Sequence, residues 1–381
     1  METTWEEKVK KIVCILLMLA NLAFVSCSKS DGGNEIKIDK PTADAFVSLN
    51  GDEISDFAEN YITGAGYAHI NKSLGDHYYP EPLVFEWRDT QNTDYTLFIS
   101  ENSDMSNARE YKTDETRIEV GGLIAGIKYY YKVKGGGKES KIYSFTTKRQ
   151  PRTVKIDGVS NTRDIGGYET ESGFVRQGLV YRGAAPDDIT ENGKRWFENA
   201  GIKTIIDLRE ATGRKRNLYD LNINYIEIPE KGCACYIDGD KGIRSPEYLA
   251  GLIAAMKAFA VKDNYPIYFH CRIGRDRTGT IAYMLNGLPG VDHYTLTMDY
   301  ELSCFSVAGC VDYDDKEKQA KNMSGAMDAM YSYFMRYSKY KGSAEASVKD
   351  GIEKFLLDNG VTADEIANIR EIMTEEAVNA G

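Results

Sequence analysis

The chain is 381 residues long, room for two or three domains at about 100–200 residues each. Hydrophobic residues supply 42% of it, which supports packed cores and excludes wholesale disorder. Against 58 Asp and Glu stand 47 Lys and Arg, a formal charge of −11 that argues against a general nucleic-acid binder but still allows one local cationic cup for an anionic substrate.

The amino terminus reads as an export signal. Lys8, Lys10 and Lys11 precede an apolar run from Ile12 to Val25, shorter than the roughly 20 residues a comfortable membrane span needs. The run closes on Phe24-Val25-Ser26-Cys27 and is followed by Ser-Lys-Ser-Asp-Gly-Gly. A small residue before a cysteine at the end of such a core resembles a bacterial lipoprotein cleavage site, although Phe24 stands where that pattern usually has Leu. The resemblance implies a signal peptide at 1–26, lipidation of Cys27, an anchor in the cell envelope and a flexible tether over 27–40.

A β-rich unit is placed at 41–148, with a short helix allowed between Ala43 and Ile62. Leu83-Val84-Phe85-Glu86-Trp87 and Tyr95-Thr96-Leu97-Phe98-Ile99 are β-branched and aromatic with partial alternation. Tyr129-Tyr130-Tyr131-Lys132-Val133 and Ile142-Tyr143-Ser144-Phe145-Thr146-Thr147 continue the pattern. A Trp in an early strand, a Leu and Gly before a strand-starting Tyr, and a closing Phe-Thr-Thr resemble a fibronectin type III sandwich over residues 80–148. That resemblance implies a Tyr that hydrogen-bonds back to the backbone at a sheet corner. Alternation makes at least one of Tyr129, Tyr130 and Tyr131 core, and with no cluster of acid, base and nucleophile the unit reads as a spacer or docking module.

Residues 149–155 read as a linker, and a second unit is placed at 156–378. Leu179 to Ala185 is a strand and turn. Ile189 to Ala200 is helical, with Thr190 near its cap and Gly201 ending it. Lys203 to Arg209 is an apolar strand ending in charge, and Tyr225 to Pro229 is another. Ser245 to Ala260 is a helix that carries Leu249, Leu252, Ile253, Met256 and Phe259 on one face. Strands alternating with helices predict an α/β unit with a mostly parallel sheet and its site at the carboxyl end of a strand.

That site is predicted between the β-like run Pro266-Ile267-Tyr268-Phe269 and the helical run Thr280 to Leu285. The loop reads His270-Cys271-Arg272-Ile273-Gly274-Arg275-Asp276-Arg277-Thr278-Gly279. A strand-to-helix turn aims backbone N–H groups and the positive end of a helix dipole at one spot, which suits an oxyanion. The same field favours the thiolate of a cysteine opening the loop. Gly274 accepts a positive φ and keeps bulk out of the cup, Arg277 can fork onto two phosphate oxygens, and Thr278 sets a hydroxyl beside the sulfur. Three arginines in such a short stretch would make a poor core.

His-Cys, five residues, Arg, then Thr-Gly resembles the phosphate loop of the cysteine-dependent protein tyrosine phosphatases. Asn161-Thr162-Arg163-Asp164-Ile165-Gly166-Gly167, Val180-Tyr181-Arg182-Gly183-Ala184, Ile206-Asp207-Leu208-Arg209, Asp299-Tyr300-Glu301-Leu302-Ser303 and Gly360 to Ile366 extend the likeness. Over residues 156–375 the chain resembles the atypical bacterial tyrosine phosphatases related to a secreted mycobacterial enzyme with protein and phosphoinositide activity. The resemblance implies the cysteine-dependent phosphatase fold and a phosphocysteine on Cys271. Backbone N–H groups of residues 272–277, including those of Arg272, Ile273, Gly274 and Arg275, and the Arg277 guanidinium would hold the phosphate oxygens. Asp276 is the first choice of proton donor, by similarity to the myotubularin lipid phosphatases, since no Trp-Pro-Asp type loop is present. Glu230, Asp238 and Asp240, after Pro229, are its rivals.

His270 either supports the loop through its backbone or is a satisfied core histidine. Asp207 and Arg209 either orient the loop arginine or form a structural ion pair. Arg272 and Arg275 either bind a second phosphate, favouring phosphoinositides or inositol phosphates, or attract any phosphorylated substrate. Arg163 and Asp164 fix the opening turn of the unit. No cofactor and no metal are expected: Cys233-Ala234-Cys235 lacks the two-residue spacer and nearby His of a zinc site. Cys304 and Cys310 could pair, though burial is favoured. Helices are predicted for Tyr294 to Phe305, Lys316 to Ser338, Ser347 to Asn359 and Thr362 to Ala377, with Met323, Met327, Met330, Tyr331 and Phe334 as a core stripe rather than a lid. Three functions compete: a phosphatase for phosphotyrosine in proteins, one for inositol phosphates, and a surface lipoprotein that binds phosphorylated or glycan ligands without turnover.

Overall fold

The fold comes from a computed structural model that describes residues 35–61, 79–80, 82–89, 93–211, 214, 218, 220–229, 231–237, 242–306, 324–339 and 347–376. The export signal, Cys27 and much of the tether lie outside the described residues, as do Glu230, Asp238, Asp240, Cys310 and Met323.

Alternation, strongest in β7, builds the amino-terminal sheets. The elements are β1 (Lys37–Lys40), β2 (Ala45–Val47), helix α1 (Asp52–Asn60), β3 (Leu83–Arg88), β4 (Tyr95–Ser100), β5 (Arg109–Thr113), β6 (Arg117–Val120), β7 (Lys128–Gly135), β8 (Lys138–Glu139) and β9 (Tyr143–Thr147). One sheet has the order β1-β3-β6; the other runs β2-β9-β7-β4-β5, with β8 beside β7. All pairings are antiparallel except β2 with β9. In β7, Tyr129, Tyr131 and Val133 are buried while Tyr130 and Lys132 face outward. The buried rings close the gap between the sheets: Phe85 lies 5.2 Å from Tyr131 and Trp87 lies 5.4 Å from Tyr95, centroid to centroid. A one-residue register slip would turn this whole set to solvent. The Tyr129 hydroxyl accepts a 2.9 Å hydrogen bond from the Ile124 N–H.

Helix α1 is carried by the amino-terminal part of the chain but packs elsewhere. Its Ile54 and Phe57 are fully buried in the core of the second unit, with Phe57 5.1 Å from Phe305. Residues 149–155 also depart from the linker expectation, because Gln150, Pro151, Arg152, Thr153 and Val154 are all buried. The reason is polar as much as apolar. Asn50 donates to the Pro151 carbonyl at 2.7 Å, the Gln150 side chain reaches Ser48 and Glu59 at 2.9 Å, and Arg152 pairs with buried Asp164 at 2.8 Å. Buried polar groups with these partners hold the segment to both units.

The second unit is α/β. It contains β10 (Arg163–Asp164), β11 (Gly173–Val175), β12 (Val180–Gly183), α2 (Glu191–Asn199), β13 (Thr204–Asp207), β14 (Asn224–Glu227), α3 (Pro246–Phe259), β15 (Ile267–His270), α4 (Asp276–Gly287) and α5 (His293–Glu301). A 3-10 turn at Leu302–Phe305, α6 (Ser324–Met335), α7 (Val348–Asp358), α8 (Ala363–Met373) and β16 (Thr374–Glu376) follow. The main sheet has the order β10-β12-β15-β13-β14, parallel except for β10. All four residues of β15 are buried, as a central parallel strand requires. Successive side chains point to opposite faces: Tyr268 meets Phe197 of α2 at 5.0 Å, and Phe269 meets Phe259 of α3 at 5.4 Å. Helices therefore cover both faces and lock the strand that ends in His270.

Met327, Met330 and Phe334 of α6 are fully buried in the main core, and Tyr331 packs against it. Cys304 is buried. The helix expected to run from Thr362 to Ala377 stops at Met373. There β16 pairs with β11, and the Arg176 N–H donates to the Met373 carbonyl at 2.6 Å. Tertiary pairing overrides the helical preference of the Thr-Glu-Glu tail.

Candidate active site

The loop after β15 and the first turn of α4 form a cup whose shape is set from outside. Gly274 has φ +73°, and an ideal Cβ there would lie 2.4 Å from the Gly183 backbone. The end of β12 and the loop thus touch backbone to backbone, which only glycine permits. Four carbonyls of the loop are engaged on its outer side. The Arg272 carbonyl accepts from the Ala185 N–H at 3.1 Å, that of Ile273 from the Asn161 amide at 2.9 Å, and that of Gly274 from Arg182 at 2.9 Å. The Arg275 carbonyl accepts from the Gly279 N–H at 2.7 Å and from Arg182 at 3.4 Å. In a trans peptide the N–H points opposite the C=O. The N–H groups of residues 273–276 therefore face the concave side, together with the open N–H groups at the start of α4.

A buried charge network holds that clamp. Asp299 of α5 accepts from Arg163 at 2.9 Å and from Tyr168 at 3.1 Å, and its other oxygen binds Arg182. Arg163 also donates to Asn161 Oδ1 at 2.7 Å, which fixes the amide so that its nitrogen meets Ile273. Arg163 and Arg182 are wholly buried. Burial alone would raise the Asp299 pKa, but the two guanidiniums and the hydrogen bonds outweigh it and hold the carboxyl below its ordinary range. Arg163 thus does more than shape an opening turn: it belongs to the scaffold behind the loop.

Cys271 opens the loop, 2% exposed and with a free thiol. His270 Nδ1 lies 2.9 Å from the Cys271 carbonyl oxygen, within hydrogen-bond reach of the loop backbone, while its buried Nε2 has no partner among the described residues. Burial holds His270 below the ordinary histidine range, against the pull of Asp207. Arg277 anchors through Nη1 to the Leu208 carbonyl at 3.2 Å, just beyond the end of β13. On either side of Leu208, Asp207 and Arg209 bind each other at 2.9 Å, and Arg209 also pairs with Asp187 at 2.9 Å. The ion pair steadies the carbonyl that holds Arg277. Burial works to raise the Asp207 pKa, yet His270 and Arg209 bring it below the usual carboxylate range.

Asp276 is partly exposed, and its Oδ1 accepts from Arg275 Nε at 3.0 Å and from the Tyr300 hydroxyl at 2.9 Å. Arg275 is thereby committed to its neighbour, whereas Arg272 is exposed at the mouth. The Thr278 hydroxyl is buried and has no hydrogen-bond partner among the described residues, Cys271 included. Cys233 and Cys235 lie within the electrostatic reach of Cys271 and Arg277; burial pushes both thiols up, that of Cys235 to about 11. No three His, Cys, Asp or Glu side chains gather as a metal site would require among the described residues.

Sequence reasoning did not single out Asn161, Arg182, Gly183, Asp299 or Tyr300 as parts of the site. One signal was present: Arg182 interrupts an apolar strand, and a charge buried there must be paired.

The model of a family described as the tyrosine phosphatase family matches residues 154–375. A Cupriavidus necator protein named "putative tyrosine-protein phosphatase" is 24% identical over 172 residues, which cover 39% of this chain and 61% of that relative. The chain thus spans less than two thirds of the curated relative's length. Among solved structures, the core catalytic domain of the S. cerevisiae PP-IP phosphatase Siw14, in complex with citrate, is 18% identical, with 38% of this chain and 87% of that one covered and a TM-score of 0.27. P. aeruginosa TpbA in complex with pTyr is 17% identical, with 50% and 91% covered and a TM-score of 0.30. Scores this low add nothing to the fold described above.

Proposed function

This chain belongs to the tyrosine phosphatase family, and from that premise we propose that it hydrolyses phosphomonoesters, phosphotyrosine in proteins foremost, through a phosphocysteine on Cys271. The observation that carries the reading is the clamp on the loop carbonyls of residues 272–275, which leaves the N–H groups to a tetrahedral anion. The Cys271 thiolate attacks phosphorus while those N–H groups and Arg277 hold the equatorial oxygens. Asp276 protonates the leaving oxygen, with Glu230, Asp238 and Asp240 as the alternative donors; water then releases phosphate. Cys271→Ser should abolish phosphate release from every member of a phospho-substrate panel. Hydrolysis at the wild-type rate by that variant would end the mechanism.

The exposed Arg272 supports a second substrate class, inositol polyphosphates or phosphoinositides, which carry several phosphates. Phosphate release from inositol hexakisphosphate beside a phosphotyrosine peptide separates the two. Ligand retention with no turnover of either would favour the non-catalytic surface lipoprotein.

We read the amino-terminal unit as fibronectin type III-like, supported by its two sheet orders, buried Trp87 and the Tyr129 hydrogen bond. Its part is to space or dock the phosphatase unit on a cell envelope to which lipidated Cys27 anchors the chain. Metabolic labelling with palmitate tests this: label should enter the wild type and not Cys27→Ser, and an unlabelled wild type would refute the anchor.

A further inference from the structure

We propose that Tyr300 is a positioning residue whose hydroxyl pins Oδ1 of Asp276 and so turns Oδ2 toward the leaving group as the proton-bearing oxygen. The inference rests on the reading of Asp276 as proton donor. Its ground is geometric. Asp299 and Tyr300 are neighbours in the last turn of α5, their side chains about 100° apart around the helix. Asp299 goes behind the loop to Arg163 and Arg182, while Tyr300 crosses the first turn of α4 to reach Asp276. The crossing needs Gly279: a Cβ there would lie 2.5 Å from the Tyr300 ring. Tyr300 is 3% exposed, so the ring has one seat and its hydroxyl one direction.

Both hydrogen bonds to the Asp276 carboxylate among the described residues fall on Oδ1, from Arg275 Nε at 3.0 Å and from Tyr300 at 2.9 Å. Oδ2 has no partner among the described residues. A carboxylic acid whose one oxygen accepts two donors carries its proton on the other. Burial, and then the charge of Asp276, drives the Tyr300 pKa far up, so the phenol remains a donor at any working pH. In the first step the Cys271 electron pair forms the S–P bond, the P–O bond breaks onto the leaving oxygen, and that oxygen takes the proton from Oδ2. In the second, water gives a proton to the Asp276 carboxylate as its oxygen bonds phosphorus, and the S–P pair returns to sulfur. Atoms and charge balance over ester plus water to alcohol plus inorganic phosphate.

The test compares full-length wild type, Tyr300→Phe, Asp276→Asn and the double variant on phenyl phosphate, whose leaving group needs a proton, and 2,4-dinitrophenyl phosphate, whose leaving group does not. Tyr300→Phe should lower the ratio of kcat/KM for phenyl over dinitrophenyl phosphate by roughly 10- to 100-fold, part of the 100- to 10,000-fold a general acid supplies. In the Asp276→Asn background it should leave the ratio unchanged. Alkylation of Cys271 by iodoacetate should proceed at the wild-type rate, because it reads the cup and the sulfur but no leaving-group proton. An unchanged ratio in Tyr300→Phe, an equal drop in both backgrounds, or slowed alkylation that tracks lost turnover would overturn the proposal. If Tyr300→Phe does not fold, 3-fluorotyrosine at position 300 keeps ring and hydroxyl. The ratio should then shift with Asp276 present and stay fixed in the Asp276→Asn background, and no shift in either would equally overturn it. A wild type inert to both esters would instead sink the phosphatase reading itself. An Asp276→Asn variant with the wild-type ratio would sink the proton-donor assignment alone.

Discussion

Gly274 shows how one side chain's absence shapes the chemistry. Its positive φ and the 2.4 Å approach to Gly183 leave no place for a methyl group. Gly274→Ala should push the loop off the end of β12, and because a 1 Å misplacement of a reacting group costs about 100-fold, kcat/KM should fall by about that much or more. Steady-state kinetics on a phosphotyrosine peptide checks this; activity within a few-fold of wild type would show that the contact is dispensable. Cys271, Gly274 and Arg277 were legible in the sequence because the cup is one contiguous stretch whose residue types each answer a local need. Asn161 was not, because its partner Ile273 lies 112 positions away and no local spacing announces the pair.

At the scale of elements, α5 and the strand ends act together. Asp299 joins α5 to β10 and β12 through Arg163 and Arg182, and those arginines hold the loop. Because the folded pKa of Asp299 is depressed, its contribution to stability is complete above the unfolded value of about 3.9 and is lost as pH falls through the lower folded value. Asp299→Asn should cost about 3–5 kcal/mol at pH 7 by removing the carboxylate charge that two buried guanidiniums share. It should also shrink the difference in thermal midpoint between pH 7 and pH 3, read by calorimetry; a variant with the wild-type difference would remove Asp299 from the acid response. Helices α2 and α3 could be read within a residue or two, α2 from the Thr190 cap and the stop at Gly201 and α3 from its apolar spacing. The end of α8 could not, because the strand that replaces it exists only beside β11.

Taken whole, the chain closes its second core with a helix borrowed from its first half. Phe57 and Ile54 of α1 are fully buried there, and each such side chain is worth roughly 1.5–3 kcal/mol. A chain beginning at residue 149 should therefore melt at least about 6 °C below the full-length protein. Equal midpoints by differential scanning calorimetry would mean that α1 adds nothing to that core. The β-rich pattern up to residue 148 and the alternation of strands with helices after 155 led to the expectation of two units. The seam was not, because Gln150 and Arg152 look like ordinary polar connector residues until Glu59 and Asp164 stand beside them.

The inward-facing donors of the cup are peptide nitrogens, which every residue but proline supplies. Mutation can exchange the exposed Arg272 at the rim without erasing them, so a lineage would be free to retune what the cup recognises while the cup itself stays intact. Diversification of such a scaffold should accordingly run through its rim and leave the hidden arginine–aspartate lattice untouched.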